Sequence, residues 1–278
     1  MSSPNHPPPS WFPPDFLSTP AQNPSIQKID FTKTKDALPE YKDHYALLIS
    51  NLLTPEECEI LIRAAEEPDP NTNIPKWEEA LINVGNGKQA RVTETRLSSR
   101  ILWDWPWMAE RILDRVRPFI QDDIGTLTDR PIVTGLGPPK RKETWRLSGL
   151  NHRLRFLRYH RGEYFRPHMD GCYVAPTEER SFFTLHLYLN GEPGRTTTDV
   201  EGMSEEEINA LPLRGGATSF FTPVMASWDP RTFSVNPAAG SVLVFQQRNL
   251  AHSGDEVLQG TKYTLRSDIM YRKDEIVD

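Results

Sequence analysis

Cysteine is scarce in this chain: Cys58 and Cys172 are the only two in 278 residues. Two cysteines cannot make a disulfide framework, so a packed core must hold the fold, and a reducing compartment, cytosol or nucleus, is the natural setting. Long apolar runs are also missing, and nothing reaches the roughly 18 consecutive apolar residues that a membrane helix needs. The chain does not open on a basic segment followed by an apolar one, so no secretory signal is expected. Positive charge is not in excess. Lys plus Arg is 32 against Asp plus Glu at 38, a net charge of −6 with a pI near 5.7. That balance argues against a protein held on nucleic acid by bulk charge. No internal repeat, heptad or collagen period is present. Hydrophobic residues make up 37% of the chain, enough for a sizeable core.

Proline is concentrated at one end, with 8 of the 25 before residue 26. Residues 1–25 therefore read as a Pro-rich, extended or disordered arm. The alternatives are docking through Trp11, Phe12 and Phe16, or recognition by a proline-reading module. A strand is expected over 44–49, leading into a sharp helix start at Thr54-Pro55-Glu56-Glu57. There Thr54 can cap, Pro55 suits the first helical position and Glu57 closes a capping box. Cys58, Ile60, Leu61 and Ala64 follow at helical spacing, which makes Cys58 a small core residue. Met108, Ile112, Val116 and Ile120 predict a second amphipathic helix over 106–121. Residues 68–100, polar and Gly/Pro-punctuated, are expected to be a mobile loop over the mouth of a site.

From about residue 150 the texture changes. Strand-like runs at 153–159, 181–189, 217–221, 232–235, 241–246 and 262–271 are separated by turn signals. Ser204–Leu211 reads as one short inserted helix. The pattern is α+β, helices first and then an antiparallel sandwich or open barrel. It divides into the 1–25 arm, an N-terminal helical support region over 26–148 and a β-rich core over 149–278.

Among seven histidines, His168 has a distinctive setting, Tyr164-Phe165-Arg166-Pro167-His168-Met169-Asp170-Gly171. Residues two apart in extended backbone point to one side, so His168 and Asp170 can offer an imidazole and a carboxylate to one metal. His252, after the apolar run Val242-Leu243-Val244-Phe245, is the best third ligand. Two histidines and one carboxylate on one face suit a non-haem Fe(II) centre with open positions. A dicarboxylate cosubstrate would need a buried cation. Lys262, Thr264 and Arg266 share one strand face, and Tyr159 lies on a neighbouring strand. His186 reads as a buried structural histidine, with lining of the cosubstrate pocket as the alternative. Cys172 reads as a pocket-wall residue. Arg153, Arg155 and Arg158 read as a solvated face or as a contact for an acidic partner.

The stretches LLISNLLTPEECEILIRAAEE (47–67), RLRFLRYHRGEYFRPHMDG (153–171), FTLHLYLN (183–190), GGATSFF (215–221) and SVLVFQQRNLAHSGDEVLQGTKYTL (241–265) resemble the prolyl 4-hydroxylase type of Fe(II)/2-oxoglutarate-dependent dioxygenase. The resemblance implies a double-stranded β-helix, or jelly-roll, core with supporting N-terminal helices, and iron held by His168, Asp170 and His252. It also implies 2-oxoglutarate bound by Lys262 and Tyr159, O₂ as the oxidant, and ascorbate admitted as an accessory reductant; Arg266 departs from the family pattern, as a rival anchor or a contact for a substrate acid. The implied activity hydroxylates an unactivated C–H bond with release of succinate and CO₂. The substrate class stays open between prolyl residues of a peptide or protein and a free amino acid or small metabolite. A non-catalytic jelly-roll binding module is a further alternative, and a cupin-like metalloenzyme is disfavoured because its usual His-x-His spacing is absent. No nucleic acid or membrane partner is expected.

Overall fold

The computed structural model describes residues 8–67, 76–85, 88–192, 200–222 and 231–274. Its framework is a pair of antiparallel sheets. The larger has ten strands and is built around a central path in which Ala46–Ser50, Val242–Gln246, Arg180–Tyr188, Lys262–Lys273, Arg153–Tyr159 and Ser99–Asp104 lie side by side. The smaller has five strands, ordered Thr232–Val235, Thr218–Phe221, His252–Gly254, Tyr164–His168 and Arg96–Leu97. The strands expected in the second half all form, within a residue or two at each end.

Period-2 alternation sends the two faces of the large sheet to different tasks. Leu154, Phe156, Leu185, Leu187, Val244, Leu265 and Ile269 join the main core beneath the two long helices. The alternate residues, among them Tyr159, Thr184, His186, Lys262 and Arg266, face a cavity between the sheets. Both faces are therefore covered, which explains the near-continuous apolar texture of these runs.

The helix Pro55–Glu66 starts as its sequence predicts. Thr54 accepts from the Glu57 amide, and the Glu57 side chain accepts from the Thr54 amide. Glu57 also takes a two-pronged ion pair from Arg115, at 2.7 Å for each contact. Arg115 lies on the second helix, Pro106–Ile124, and is buried. Met108, Ile112, Val116 and Ile120 of that helix are fully buried as their spacing requires. Pro118 removes one N–H from its ladder, yet the helix runs past it to Ile124. Cys58 is a buried core residue. The inserted helix forms over Glu205–Ala210 with its own capping box from Ser204 and Glu207. Gly240 sits at φ +75°, where a side chain would collide with the Leu53 carbonyl, and its own carbonyl accepts from the Leu52 and Leu53 amides.

Three expectations need correcting. Residues 8–24 are not a free extended arm. They run through turns, and Phe12, Phe16 and Leu17 are buried in the main core, Phe12 edge-on to Trp105 at 5.0 Å. The boundary at 148/149 is not a break in the architecture, because Ala46–Ser50, Ser99–Asp104 and Thr144–Leu150 are strands of the same large sheet as the later ones. The stretch 68–100 is not simply a loop. Arg96–Leu97 belongs to the small sheet and Ser99–Asp104 to the large one. Residues 68–75 and 86–87 of it lie outside the described residues. Among the described residues, no helix is long and apolar enough to cross a membrane.

Candidate metal and cosubstrate site

The strand Tyr164–His168 pairs with His252–Gly254, and in that ladder His168 stands directly opposite His252. Asp170 lies two residues beyond the end of its strand, and the chain folds it back so that its carboxylate meets both rings. Oδ1 is 3.6 Å from His168 Nε2, and Oδ2 is 3.6 Å from His252 Nε2. One ligating atom from each of the three side chains lies within 4.8 Å of the other two. Each imidazole is oriented from behind by a backbone carbonyl, Arg166 O at 2.8 Å for His168 Nδ1 and Leu250 O at 3.1 Å for His252 Nδ1. A carbonyl only accepts, so Nδ1 carries the proton and Nε2 presents its lone pair to the centre. Burial lowers the His252 imidazole to about 4, against the pull of Asp170, which keeps it neutral and free to ligate. Burial would raise the Asp170 carboxyl, but the Arg266 guanidinium and the two imidazoles hold it well below the usual range.

Asp170 is fixed by two further contacts. Thr184 Oγ1 donates to Oδ2 at 2.6 Å, and Arg266 Nη2 reaches Oδ1 at 2.8 Å. Behind Arg266, buried Asp268 pairs with Arg155 at 2.9 Å and accepts from Gln247 and Asn151. The charged pair Arg266 and Asp268 thus braces the carboxylate.

A slot of about 40 Å³ runs from the triad into the space between the sheets. Along one wall lie Thr184, His186, Lys262 and Arg266; Tyr159, Phe165 and Phe245 close other sides. Lys262 is 2% exposed and forms no ion pair among the described residues. Its ammonium lies 5.2 Å from the Tyr159 ring and 5.8 Å from the Tyr188 ring. Tyr159 is its direct register partner across the strands. Gly216, at φ +68°, allows the turn before Thr218–Phe221 to press on the lysine stem, where an added Cβ would come within 2.9 Å of Lys262 Cδ. Among the described residues, three buried polar atoms on the strand faces around this slot have no hydrogen-bond partner: His186 Nε2, Thr264 Oγ1 and Arg266 Nε. A buried cation with orphaned donors beside it is the chemistry of an anion site. His186 is buried and lines the slot, so the two readings of it coincide; burial, with Lys262 and Arg266 adding to it, holds it neutral.

Outside the triad lies a much larger cavity of about 900 Å³. It shares His168, Asp170 and Arg266 with the slot, and Cys172 and His152 are on its wall. The arginines of the 153–159 strand are each already paired with an acid, with Arg153 exposed and Arg155 and Arg158 half-buried. Arg153 pairs with Asp104, Arg155 with Asp268 and Arg158 with Glu66. Sequence reasoning gave no role to four residues the fold brings to the site. Thr184 and Tyr188 were legible only as residues in phase with His186. Phe165 stacks on His168 with ring centres 3.6 Å apart, and Arg96 lies over Phe165 at 4.5 Å.

Residues 154–267 match the 2OG-Fe(II) oxygenase superfamily, and this span contains the three clustered donors and Lys262. The match spans 114 of the 278 residues (267 − 154 + 1) and makes this segment a 2OG-Fe(II) oxygenase region. Fe(II), 2-oxoglutarate and O₂ are therefore its cofactor, cosubstrate and oxidant, and the two-nitrogen, one-oxygen donor set with its buried neighbouring ammonium fits them. No curated protein matches the chain in sequence. Among solved structures it is similar to a Pseudomonas putida prolyl-4-hydroxylase, at 19% identity over 84% of this chain and 96% of that one, with a TM-score of 0.45. It is also similar to a viral collagen prolyl hydroxylase of Paramecium Bursaria Chlorella virus-1 in complex with 2OG, at 17% identity, 82% and 97% coverage and a TM-score of 0.41. A third is a prolyl hydroxylase of Trichoplax adhaerens in complex with a hypoxia inducible factor oxygen degradation domain peptide fragment, at 12% identity, 68% and 70% coverage and a TM-score of 0.39. Likenesses this distant carry no argument about the oxygenase's substrate.

Proposed function

We propose that this oxygenase hydroxylates an unactivated C–H bond, with iron held by His168, Asp170 and His252 and 2-oxoglutarate anchored at its far carboxylate by Lys262. The two facing sheets are read as the halves of a double-stranded β-helix. Bound together, iron and 2-oxoglutarate supply the oxidising chemistry, in which O₂ and the cosubstrate yield succinate, CO₂ and one hydroxyl on the substrate. The observation that carries the reading is the convergence of His252 with the distant pair His168 and Asp170, beside a buried ammonium that has no anionic partner among the described residues.

The protein's own residues bind, orient and exclude. Arg166 O and Leu250 O fix the two imidazole tautomers, and Thr184 with Arg266 holds Asp170 ionised and in place. Tyr159 and Tyr188 flank the Lys262 ammonium, and Tyr159 donates to the cosubstrate carboxylate. The slot as it stands has room for little more than ordered water. A five-carbon diacid therefore enters only as side chains around the slot shift. The outer cavity takes the substrate. At about 900 Å³ it lies at the upper end of ligand pockets, which favours a peptide segment over a single free amino acid. The sequence resemblance puts a prolyl residue first among targets.

The test is spectroscopic and then chemical. Fe(II) and 2-oxoglutarate added without O₂ should give a weak visible charge-transfer band, and admitting air should release succinate. His168→Ala and His252→Ala should each abolish both signals. A wild-type protein that shows neither, although it binds Mn(II), refutes the reading.

A further inference from the structure

The outer cavity is lined by six arginines, and five of them are already paired with acids. Arg100 meets Glu78, Arg153 meets Asp104, Arg155 meets Asp268, Arg266 meets Asp170, and Arg272 meets Glu179. The sixth, Arg96, forms no ion pair among the described residues. Its Nε donates to Ser98 Oγ at 2.9 Å, and its guanidinium lies over the Phe165 ring at 4.5 Å. That ring in turn stacks on the His168 imidazole. Arg96 is held there by strand pairing, directly opposite Phe165 in the ladder. It is also one of the few side chains lining both the outer cavity and the inner slot.

We propose that Arg96 is a specificity-determining residue that binds a carboxylate of the primary substrate beside the metal site, so that the oxygenase acts on an acid-bearing molecule. The inference rests on the hydroxylase reading and narrows its substrate class. A guanidinium partly withdrawn from water, with no acid at ion-pair distance among the described residues, gains from an anion, and burial lowers the pKa of Arg96 against its contact with the Tyr159 hydroxyl. A planar guanidinium presents paired N–H groups that match a carboxylate, and stacking on Phe165 fixes its plane. The carboxylate is the C-terminal or side-chain acid of a peptide, or that of a free acid. Its placement one ring away from His168 puts the neighbouring C–H bonds at the metal centre. Lys262, at the inner end of the slot, serves the cosubstrate, so the two cations divide two anions between them.

The experiment uses the full chain loaded with Mn(II) and 2-oxoglutarate. The probes are matched pairs of N-acetylated amino acids and dipeptides, each as the free acid and as the primary amide, with binding read by ligand-observed NMR. Binders of the wild type should fall among the acids, with amides at least about tenfold weaker. Arg96→Gln should remove that acid preference, and Arg96→Lys should restore most of it. Loss of acid and amide binding alike in Arg96→Gln would assign Arg96 to supporting Phe165 and overturn the proposal. So would binders concentrated among the amides, acids that bind Arg96→Gln as tightly as the wild type, or no binders in either set. Titrating 2-oxoglutarate into Mn(II)-loaded Arg96→Gln gives the second arm. A tenfold loss there, with the acid preference intact, places the carboxylate on the cosubstrate and equally refutes the assignment. Failure of the hydroxylase reading is separate, because it would appear as absent 2-oxoglutarate binding in the wild type.

Discussion

His168 and His252 face one another across a two-strand ladder although they stand 84 positions apart in sequence (252 − 168). Sheet pairing, not proximity in sequence, builds the donor set, and Asp170 closes it from the turn that follows. The contact most exposed to test is the one behind the carboxylate. Thr184 donates to Asp170 Oδ2 at 2.6 Å, and its side chain is 1% exposed. Thr184→Val keeps the shape and deletes the donor. Metal affinity should fall about 10- to 100-fold, the usual cost of losing a partner behind a ligand. Isothermal titration with Mn(II) measures it, and an unchanged affinity would remove Thr184 from the site.

Lys262 and Arg266 are rivals as the cosubstrate anchor, and their surroundings separate them. Arg266 is committed to Asp170, whereas Lys262 has no acid at ion-pair distance among the described residues. Lys262→Ala should weaken 2-oxoglutarate binding by about 10- to 100-fold, the equivalent of about 1.5–3 kcal/mol for a charged hydrogen bond. Mn(II) binding should be nearly unchanged. Arg266→Gln should first weaken Mn(II) binding. The opposite pattern would transfer the anchor to Arg266.

The same lysine predicts a pH dependence. Burial lowers its ammonium to about 8, while Asp255 pulls it back upward. His186 and Arg266 face it from the same wall, and Tyr159 and Tyr188 flank it. The charged form that holds a carboxylate is present below about 8 and lost above it. 2-Oxoglutarate affinity should therefore be flat below that pH and fall towards about tenfold per unit above it. Lys262→Arg should abolish the break. Titrations of the Mn(II) form on both sides of pH 8 decide it, and a flat profile in the wild type contradicts the assignment.

Much of this was legible beforehand because the signals were local. Thr54 and Glu57 announce a capping box within four residues, and the strands over 153–159, 241–246 and 262–271 read from short apolar runs. His168 and Asp170 are visible as a pair through their spacing, and Lys262 through its place on the strand after His252. Arg96 was not legible, because its partners are set by a two-residue strand that pairs with Phe165 some 69 residues later (165 − 96). Arg153, Arg155 and Arg158 look like a basic patch in sequence because their acids, Asp104, Asp268 and Glu66, come from three other segments. The loop expected over 68–100 failed for a related reason. Polar strands at a sheet edge carry no apolar run to betray them.

Arg115 and Glu57 hold the two long helices together with both charges largely out of water, at 4% and 19% side-chain exposure. Arg115 also donates to the Leu52 and Thr19 carbonyls, tying in the N-terminal segment. Arg115→Ala strands the Glu57 carboxylate and should cost about 3–5 kcal/mol. Replacing both by apolar residues of similar size should recover much of that loss. Urea denaturation of these two variants and of the Glu57→Ala single variant tests the coupling, and additive losses would show that the pair acts as two separate residues.

The N-terminal segment gives the last prediction, because composition and packing disagree there. Proline content points to an extended arm, yet Phe12 is 6% exposed and lies against Phe16 at 4.9 Å, Trp105 at 5.0 Å and Trp107 at 6.3 Å. Trp11 adds a cation–π contact with Arg63 of the first helix at 4.1 Å. Proline lowers the entropy of the unfolded segment, so fewer apolar anchors suffice to dock it. Phe12→Ala should destabilise the protein by about 3–5 kcal/mol if the segment is integral to the core, and by only a few tenths if it is loose. The same substitution should shift tryptophan emission to longer wavelength, because Trp105 is buried beneath it. Removing residues 1–24 should expose the Trp105 and Trp107 face and lower the melting temperature at least as much. A truncated chain that melts like the full one would return the segment to the status of a tail.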